Sequence, residues 1–347
     1  METRRLPSAV ATANRPALST GVVAPRDRRG PTSIPGRRTS IEGTVLADRV
    51  YRWAVLGFAL CIPLLLLLIF AEVGRAGWPA LRQFGFAFLT TSVWDPVAGE
   101  FGAAPAIFGT ILTSLIALLI ATPLALGGAI FLSDFSPNWL RQPLSFLIDL
   151  LAAVPSVVYG LWGVFVLLPL LRETVMPFLR DTLRLGATPF FSGPAYGPSL
   201  LAAGLILSIM VLPFIAAVSR EVLLAVPRAQ REAALALGAT RWETITGAVL
   251  PYARSGIIGG VILGLGRALG ETMAVTMVIG NRHELSASLF APGYTMASLI
   301  ANEFSEATND LHLSSLMAVG AGLFIITVIV NVIARWLVWR TARGKAI

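Results

Sequence analysis

Six apolar stretches punctuate the chain, at about residues 53–71, 106–132, 145–171, 197–219, 255–280 and 314–335. Crossing a hydrocarbon core of about 30 Å takes roughly 20 helical residues, and each stretch is long enough to do so. Prolines fall inside several of them, at Pro63, Pro123, Pro155, Pro169 and Pro213. Within a helix bundle they kink a span rather than abolish it, because neighbouring groups satisfy the freed carbonyls. The pattern predicts an all-α integral membrane protein with six transmembrane helices.

Composition agrees. Hydrophobic residues make up 55% of the 347 positions and charged residues 13%, with a mean hydropathy of +0.75. A soluble domain has nowhere to bury that much apolar surface. Residues 1–50 are different: rich in Arg, Pro, Ser, Thr and Gly and without apolar periodicity, they read as a disordered basic cytoplasmic tail ahead of a membrane domain over 51–347. A secretory signal does not fit, since the first apolar run starts only near Trp53 and no small-residue cleavage site follows it.

The net charge of +8 is read through topology, not as a nucleic-acid footprint, so no nucleic-acid partner is expected. With the N-terminus in the cytoplasm, twenty basic residues fall on the cytoplasmic side and six on the other, leaving Arg267 in the membrane. The excess places both termini inside. The lone cysteine, Cys61, sits in an apolar run, and His283 and His312 lie far apart in sequence. Neither a disulfide scaffold nor a metal site is expected, and no cofactor.

Between the fourth and fifth runs, residues 220–254 form a loop with the grammar of two short helices. Pro227 suits a helix start, Gly238 a left-handed end, and Thr240 with Glu243 makes the T-x-x-E of a capping box. Glu232, Ala233 and Ala234, then Gly238, then Leu250 and Pro251 reproduce the EAA loop, EAA-x3-G-x9-I-x-L-P, with Ala248 in place of the isoleucine. The loop therefore resembles that of ABC importer permeases, where it docks on a separate cytoplasmic ATPase. No P-loop is present to bind ATP in this chain: the only Gly-Lys pair, Gly344-Lys345, is followed by Ala346.

The fifth run carries two charges, Arg267 and Glu271, each costing about 2.5–3.5 kcal/mol at mid-membrane on insertion scales. Their spacing of four residues places both on one helical face if the helix is continuous. They then either lock helices together as an ion pair or serve a substrate. Gly259, Gly260, Gly264, Gly266 and Gly270 permit close helix approach, and Thr272 and Thr276 add hydroxyls. A guanidinium fork matches adjacent oxygens of a tetrahedral oxyanion, and a neighbouring carboxylate can hold the arginine or take a proton from the anion.

At these residues the resemblance narrows. GVILGLGRALGETMAVTMVIGN (260–281), SASLFAPG (286–293), SLIANEF (298–304) and PSVVYGLWG (155–163) are similar to the PstC-type permease subunits of bacterial phosphate ABC transporters. The resemblance covers residues 106–335. It implies the type I ABC importer permease fold, a multi-pass location in the bacterial plasma (inner) membrane, and no enzymatic activity of the chain's own. It also implies a homologous second permease of the PstA type, two copies of a cytoplasmic ATPase subunit and an extracytoplasmic phosphate-binding protein. Arg267 and Glu271, with Thr272 and Thr276, would lie on the substrate path. A permease for sulfate or molybdate is the nearest alternative, and a self-sufficient secondary transporter using Arg267 and Glu271 as a proton relay a further one. Asp149 reads as interfacial, and Asn302 and Glu303 as outer-side residues that line the entrance or meet the binding protein.

Overall fold

A computed structural model describes residues 41–343. Most of the expected tail lies outside the described residues, and its last ten positions are already helical, because α1 begins at Ile41. The chain divides into a unit ending at Cys61 and a unit from Ile62 onward. α1 (Ile41–Phe84) supplies the first span, and no residue of its apolar window is buried.

After α1 come the short α2 (Ala87–Thr90) and a hairpin, β1 (Trp94–Asp95) and β2 (Glu100–Phe101), in which Trp94 pairs with Phe101. The Asp95 carboxylate closes the hairpin by accepting from the amides of Val97 and Ala98 at 2.9 and 3.0 Å. The second span is α3 (Ala104–Ile130), which ends in a π-turn over Phe131–Phe135. The sequence places the third span at 145–171, and the structure moves it. α4 (Asn138–Ala153) stops before Val154, and the membrane-length helix is Ser156–Thr182. The cause is local: Pro155 forces Val154 into an extended conformation (φ −64°, ψ 130°), so α4 cannot run through. The third span is α5 (Ser156–Trp162), α6 (Leu168–Leu170) and intervening π-turns.

The fourth span, α7 (Leu200–Leu224), is the centre of the bundle, with more than half of its apolar window buried, the largest share of the six. α8 (Arg228–Ala236) and α9 (Arg241–Thr244) form the loop, followed by α10 (Leu250–Leu269), α11 (Met273–Val278), α12 (Met296–Glu303) and α13 (Asp310–Arg343). α3 meets α7 along a stripe of small residues four apart, Ala117, Ala121, Ala125 and Ala129, all fully buried. α10 meets α7 along a second such stripe. A Cβ on Gly256 would lie 2.6 Å from Val222, one on Gly260 3.0 Å from Val218, and one on Gly264 2.8 Å from Val211. Small residues at a four-residue spacing let backbones approach within side-chain distance, the main source of helix association where lipid removes the hydrophobic drive.

Candidate functional site

The fifth span does not continue through the charged pair. α10 ends at Leu269, Gly270 leaves the helix (φ −96°, ψ 1°), Thr272 adopts φ −111°, ψ −65°, and a new helix starts at Met273. The continuous run expected over 255–280 is thus two helices, with Arg267 in the last turn of one and Glu271 in the break. Irregular backbone at membrane depth is tolerated where it is enclosed in protein or lines a cavity.

This break separates the roles of the two charges. The Glu271 carboxylate accepts from the Ala274 amide at 3.3 Å and so caps α11. The Arg267 guanidinium lies over the Phe214 ring, 4.7 Å from its centroid, and is near enough to the Tyr159 phenol to interact with it electrostatically. Among the described ion pairs none joins Arg267 to Glu271, and the buried Arg267 Nε has no hydrogen-bond partner. The single helical face that the spacing suggests is therefore absent, because a glycine and a carboxylate able to cap a new helix stand where the fifth turn would be. Phe214 lies near the middle of α7, which puts the guanidinium at mid-span. Thr272 donates to the Gly270 carbonyl at 3.3 Å and Thr276 to the Thr272 carbonyl at 2.8 Å, so both hydroxyl protons are engaged by backbone. Of the five glycines, Gly260 and Gly264 face α7, whereas Gly259 and Gly266 have open space beside them.

The loop helices match their signals closely. α8 starts after Pro227, which is its N-cap in an extended conformation and not a residue of its first turn. Gly238 has φ +87° and the Ala239 amide reaches back to the Ala234 carbonyl at 3.2 Å, a left-handed ending that glycine alone adopts without strain. Thr240 and Glu243 form the reciprocal capping box. Glu232 and Ala233 are exposed, Ala234 half-buried and Gly238 exposed, and beside them Leu237 is 90% and Trp242 58% exposed. Leu237 ends α8 and Trp242 stands in the first turn of the membrane-length helix Arg241–Leu269, so both are displayed where the loop meets the fifth span.

At the other end of the bundle the two histidines, separated by 29 residues, meet across Glu303. His283 Nε2 lies 3.5 Å from Oε1 and His312 Nε2 3.3 Å from Oε2. His283 stacks on Trp94 at 5.5 Å and His312 on Phe101 at 5.3 Å, so the cluster binds the β1–β2 hairpin to the segment around α12. Asn302, next to Glu303, donates to the Tyr294 hydroxyl at 3.0 Å. Asn302 is exposed and Glu303 half-buried, so the first remains open to the outer side while the second faces the two histidines. Asp149 is exposed on α4. The residues that the sequence did not single out are Phe214, Tyr159 and the histidine pair. Only an aromatic one residue after Pro213 in an apolar run hinted at the first.

Residues 121–343 match the family described as "Binding-protein-dependent transport system inner membrane component". Over 314 residues the chain is 46% identical to the "Phosphate transport system permease protein PstC" of Mesorhizobium japonicum, covering 89% of this chain and 96% of the relative. It is 46% identical to the protein so named in Haemophilus influenzae, covering 83% and 92%, and 44% identical to the "Probable phosphate transport system permease protein PstC" of Methanocaldococcus jannaschii, covering 74% and 82%. The fold is like that of a chain in the crystal structure of a bacterial alginate ABC transporter in complex with alginate pentasaccharide-bound periplasmic protein, with a TM-score of 0.56, 16% identity, and coverage of 86% of this chain and 98% of that one. The six membrane-length helices among the described residues, the loop that ends in Leu250 and Pro251 and the match over 121–343 together place the chain in the family of binding-protein-dependent transport system inner membrane components.

Proposed function

We propose that this chain is the membrane-spanning permease subunit of an ATP-driven importer of inorganic phosphate, PstC in type. It pairs with a homologous PstA-type permease, two copies of a cytoplasmic ATPase subunit and an extracytoplasmic phosphate-binding protein. Both termini are cytoplasmic, which puts α8 on the ATPase side and the β1–β2 hairpin on the side of the binding protein. The observation that carries the reading is Arg267: a guanidinium held at mid-span over an aromatic ring, with a buried Nε that no protein group among the described residues accepts. A tetrahedral anion offers two adjacent oxygens to such a fork. The names of the relatives support phosphate as the anion.

In this reading the cycle is alternating access. The binding protein delivers phosphate to the hairpin end, and the anion reaches Arg267 at the break between α10 and α11. Glu271, which caps α11 with one oxygen, offers the other to the proton of a hydrogen phosphate. A fully ionised sulfate has no proton to give, so Glu271 repels it. Glu232, Ala233, Ala234 and Gly238 form the face that meets the ATPase, and ATP hydrolysis there drives the change of access. Uptake of labelled phosphate into proteoliposomes holding the four-component complex, with sulfate and molybdate as competitors, tests the assignment. Phosphate uptake that neither competitor reduces is expected; molybdate or sulfate uptake in preference to phosphate overturns it.

A further inference from the structure

α8 has no buried residue, yet it is the element through which force from the ATPase must enter the bundle if the reading above is right. Among the described residues its side-chain hydrogen bonds to other elements come from Arg231. Arg231, next to Glu232 but turned inward, donates from Nη1 to Asp134 Oδ1 and from Nη2 to the Leu223 carbonyl at 2.7 Å. Both side chains of the ion pair are largely shielded, 22% exposed for Arg231 and 12% for Asp134.

Each partner stands at the end of a different span. Leu223 is in the last turn of α7, where its carbonyl also accepts from the Val226 amide at 3.4 Å. Asp134 is in the π-turn that ends α3, and π-turns recur at sites where a helix must present a side chain out of register. The other oxygen of Asp134 accepts from Ser133 Oγ at 2.6 Å, and Arg141 of α4 donates to the Ser133 carbonyl at 3.1 Å. A chain of polar contacts thus runs from α8 to the ends of α3 and α7 and on to α4. The apolar contact beneath it, Ile130 with Leu223, Ile245 and Val249, is non-directional and tolerates sliding. A shielded ion pair does not: parting its members leaves both charges uncompensated. A cavity of about 160 Å³ lined by Asp134, Arg231, Leu235 and Ile245 adjoins the pair and gives it room to tilt as a unit.

We infer that Arg231 and Asp134 form the strut by which displacement of α8 moves the ends of the second and fourth spans, making both positioning residues for the transport cycle. The inference rests on α8 as the ATPase-docking helix. In it, Glu232 faces the ATPase and Arg231 faces the permease, so two adjacent residues of one short helix serve the two sides of the coupling step.

The test uses the complete complex in proteoliposomes with Arg231→Gln, Asp134→Asn, Arg231→Lys and the reversed pair Asp134→Arg with Arg231→Asp. Phosphate moved per ATP hydrolysed is measured per assembled complex, together with ATP hydrolysis without binding protein and the apparent KM for loaded binding protein. For Arg231→Gln and Asp134→Asn the ratio should fall by about tenfold, with KM and unstimulated hydrolysis within about twofold of wild type. Arg231→Lys keeps the charge but cannot span Asp134 and Leu223 at once, so it should fall between. The reversed pair restores the ion pair but offers no donor to the Leu223 carbonyl, so it too should fall between. A pair that only stabilises the fold would reduce the amount of complex and leave the ratio of the surviving complexes unchanged, which overturns the strut. If the single variants do not assemble, the reversed pair decides: an assembled complex that keeps part or all of the ratio supports the strut, and one with a collapsed ratio overturns it. Ala233→Cys, tested for disulfide cross-linking to a cysteine placed in the ATPase groove, separates the two claims. Absence of the cross-link overturns the docking role of α8 and the strut with it. A cross-link together with an unchanged ratio in Arg231→Gln overturns the strut alone.

Discussion

Replacing Arg267 by glutamine separates a substrate-binding arginine from a structural one, and the geometry sets the size of the effect. The variant loses the contact over Phe214, worth about 0.5–2 kcal/mol, but is relieved of a charge whose insertion costs about 2.5–3.5 kcal/mol. On these figures the assembled complex should not lose stability. Transport should behave differently. Two charge-assisted hydrogen bonds to the anion, each worth about 1.5–3 kcal/mol, disappear together, which amounts to roughly two to four orders of magnitude in uptake. Glu271→Gln keeps an oxygen for the Ala274 amide and should cost little stability. Because no ion pair joins 267 to 271, the stabilities of the two single variants should add in the double variant to within about 0.5 kcal/mol. Thermal unfolding of the purified complex measures the first quantity, and phosphate uptake into proteoliposomes the second. A stability coupling of about 3 kcal/mol would show a locking pair after all. Near-wild-type transport by the double variant would remove Arg267 from the substrate path.

Three further outcomes follow from the packing and the charges. Gly264→Leu places a side chain where a Cβ alone would be 2.8 Å from Val211 and 2.9 Å from Ile215, so complex stability should fall by about 1–3 kcal/mol, while Gly259→Ala, with open space beside it, should be neutral or slightly stabilising; equal melting temperatures for the two would contradict the α10–α7 contact. Burial holds the His283 imidazole below its usual value of 6.5, against the upward pull of Glu303, so the fold favours the neutral ring. That contribution is complete above the ordinary histidine pKa and is lost as pH falls from there towards the lowered folded value. Protease protection of residues 280–295 should accordingly weaken between about pH 7 and pH 5, and His283→Asn should flatten the profile; wild-type protection that stays constant over this range refutes the account. Glu232→Lys, on the exposed face of α8, should leave insertion intact and uncouple ATP hydrolysis from uptake, and normal uptake at wild-type expression would remove that role.

How much of this was legible in the residues depends on how local the signal is. Six spans, the capping box at Thr240 and Glu243 and the left-handed Gly238 are encoded within a few positions, and all three are present. The third span shifted because apolar content alone does not say that Pro155 starts a new helix, although the restriction on Val154 was there to be read. The alanine stripe of α3 was readable too, as small residues every fourth position from Ala117 to Ala129. The fifth span misled in a different way. A helical spacing of four between Arg267 and Glu271 presumes the helix that carries it, and Gly270 with a capping carboxylate ended that helix between them. The His283–Glu303–His312 cluster had no local signature at all, since its members meet only when the segments around α12 and the start of α13 fold together.

The contact between Arg267 and Phe214 also bears on how the chain is made. Membrane insertion proceeds from the N-terminus, so α7 is already in place when α10 emerges from the ribosome. The guanidinium then enters beside a ring that can receive it instead of facing bare lipid, and the glycines at 256, 260 and 264 let α10 settle against α7 with no side chain to reposition. Synthesised in the reverse order, the same two helices would present an arginine to hydrocarbon before its partner existed. Chain order is in this sense part of what seats the arginine: a circularly permuted protein with α10 ahead of α7 would contain every contact described and should meet its barrier during insertion.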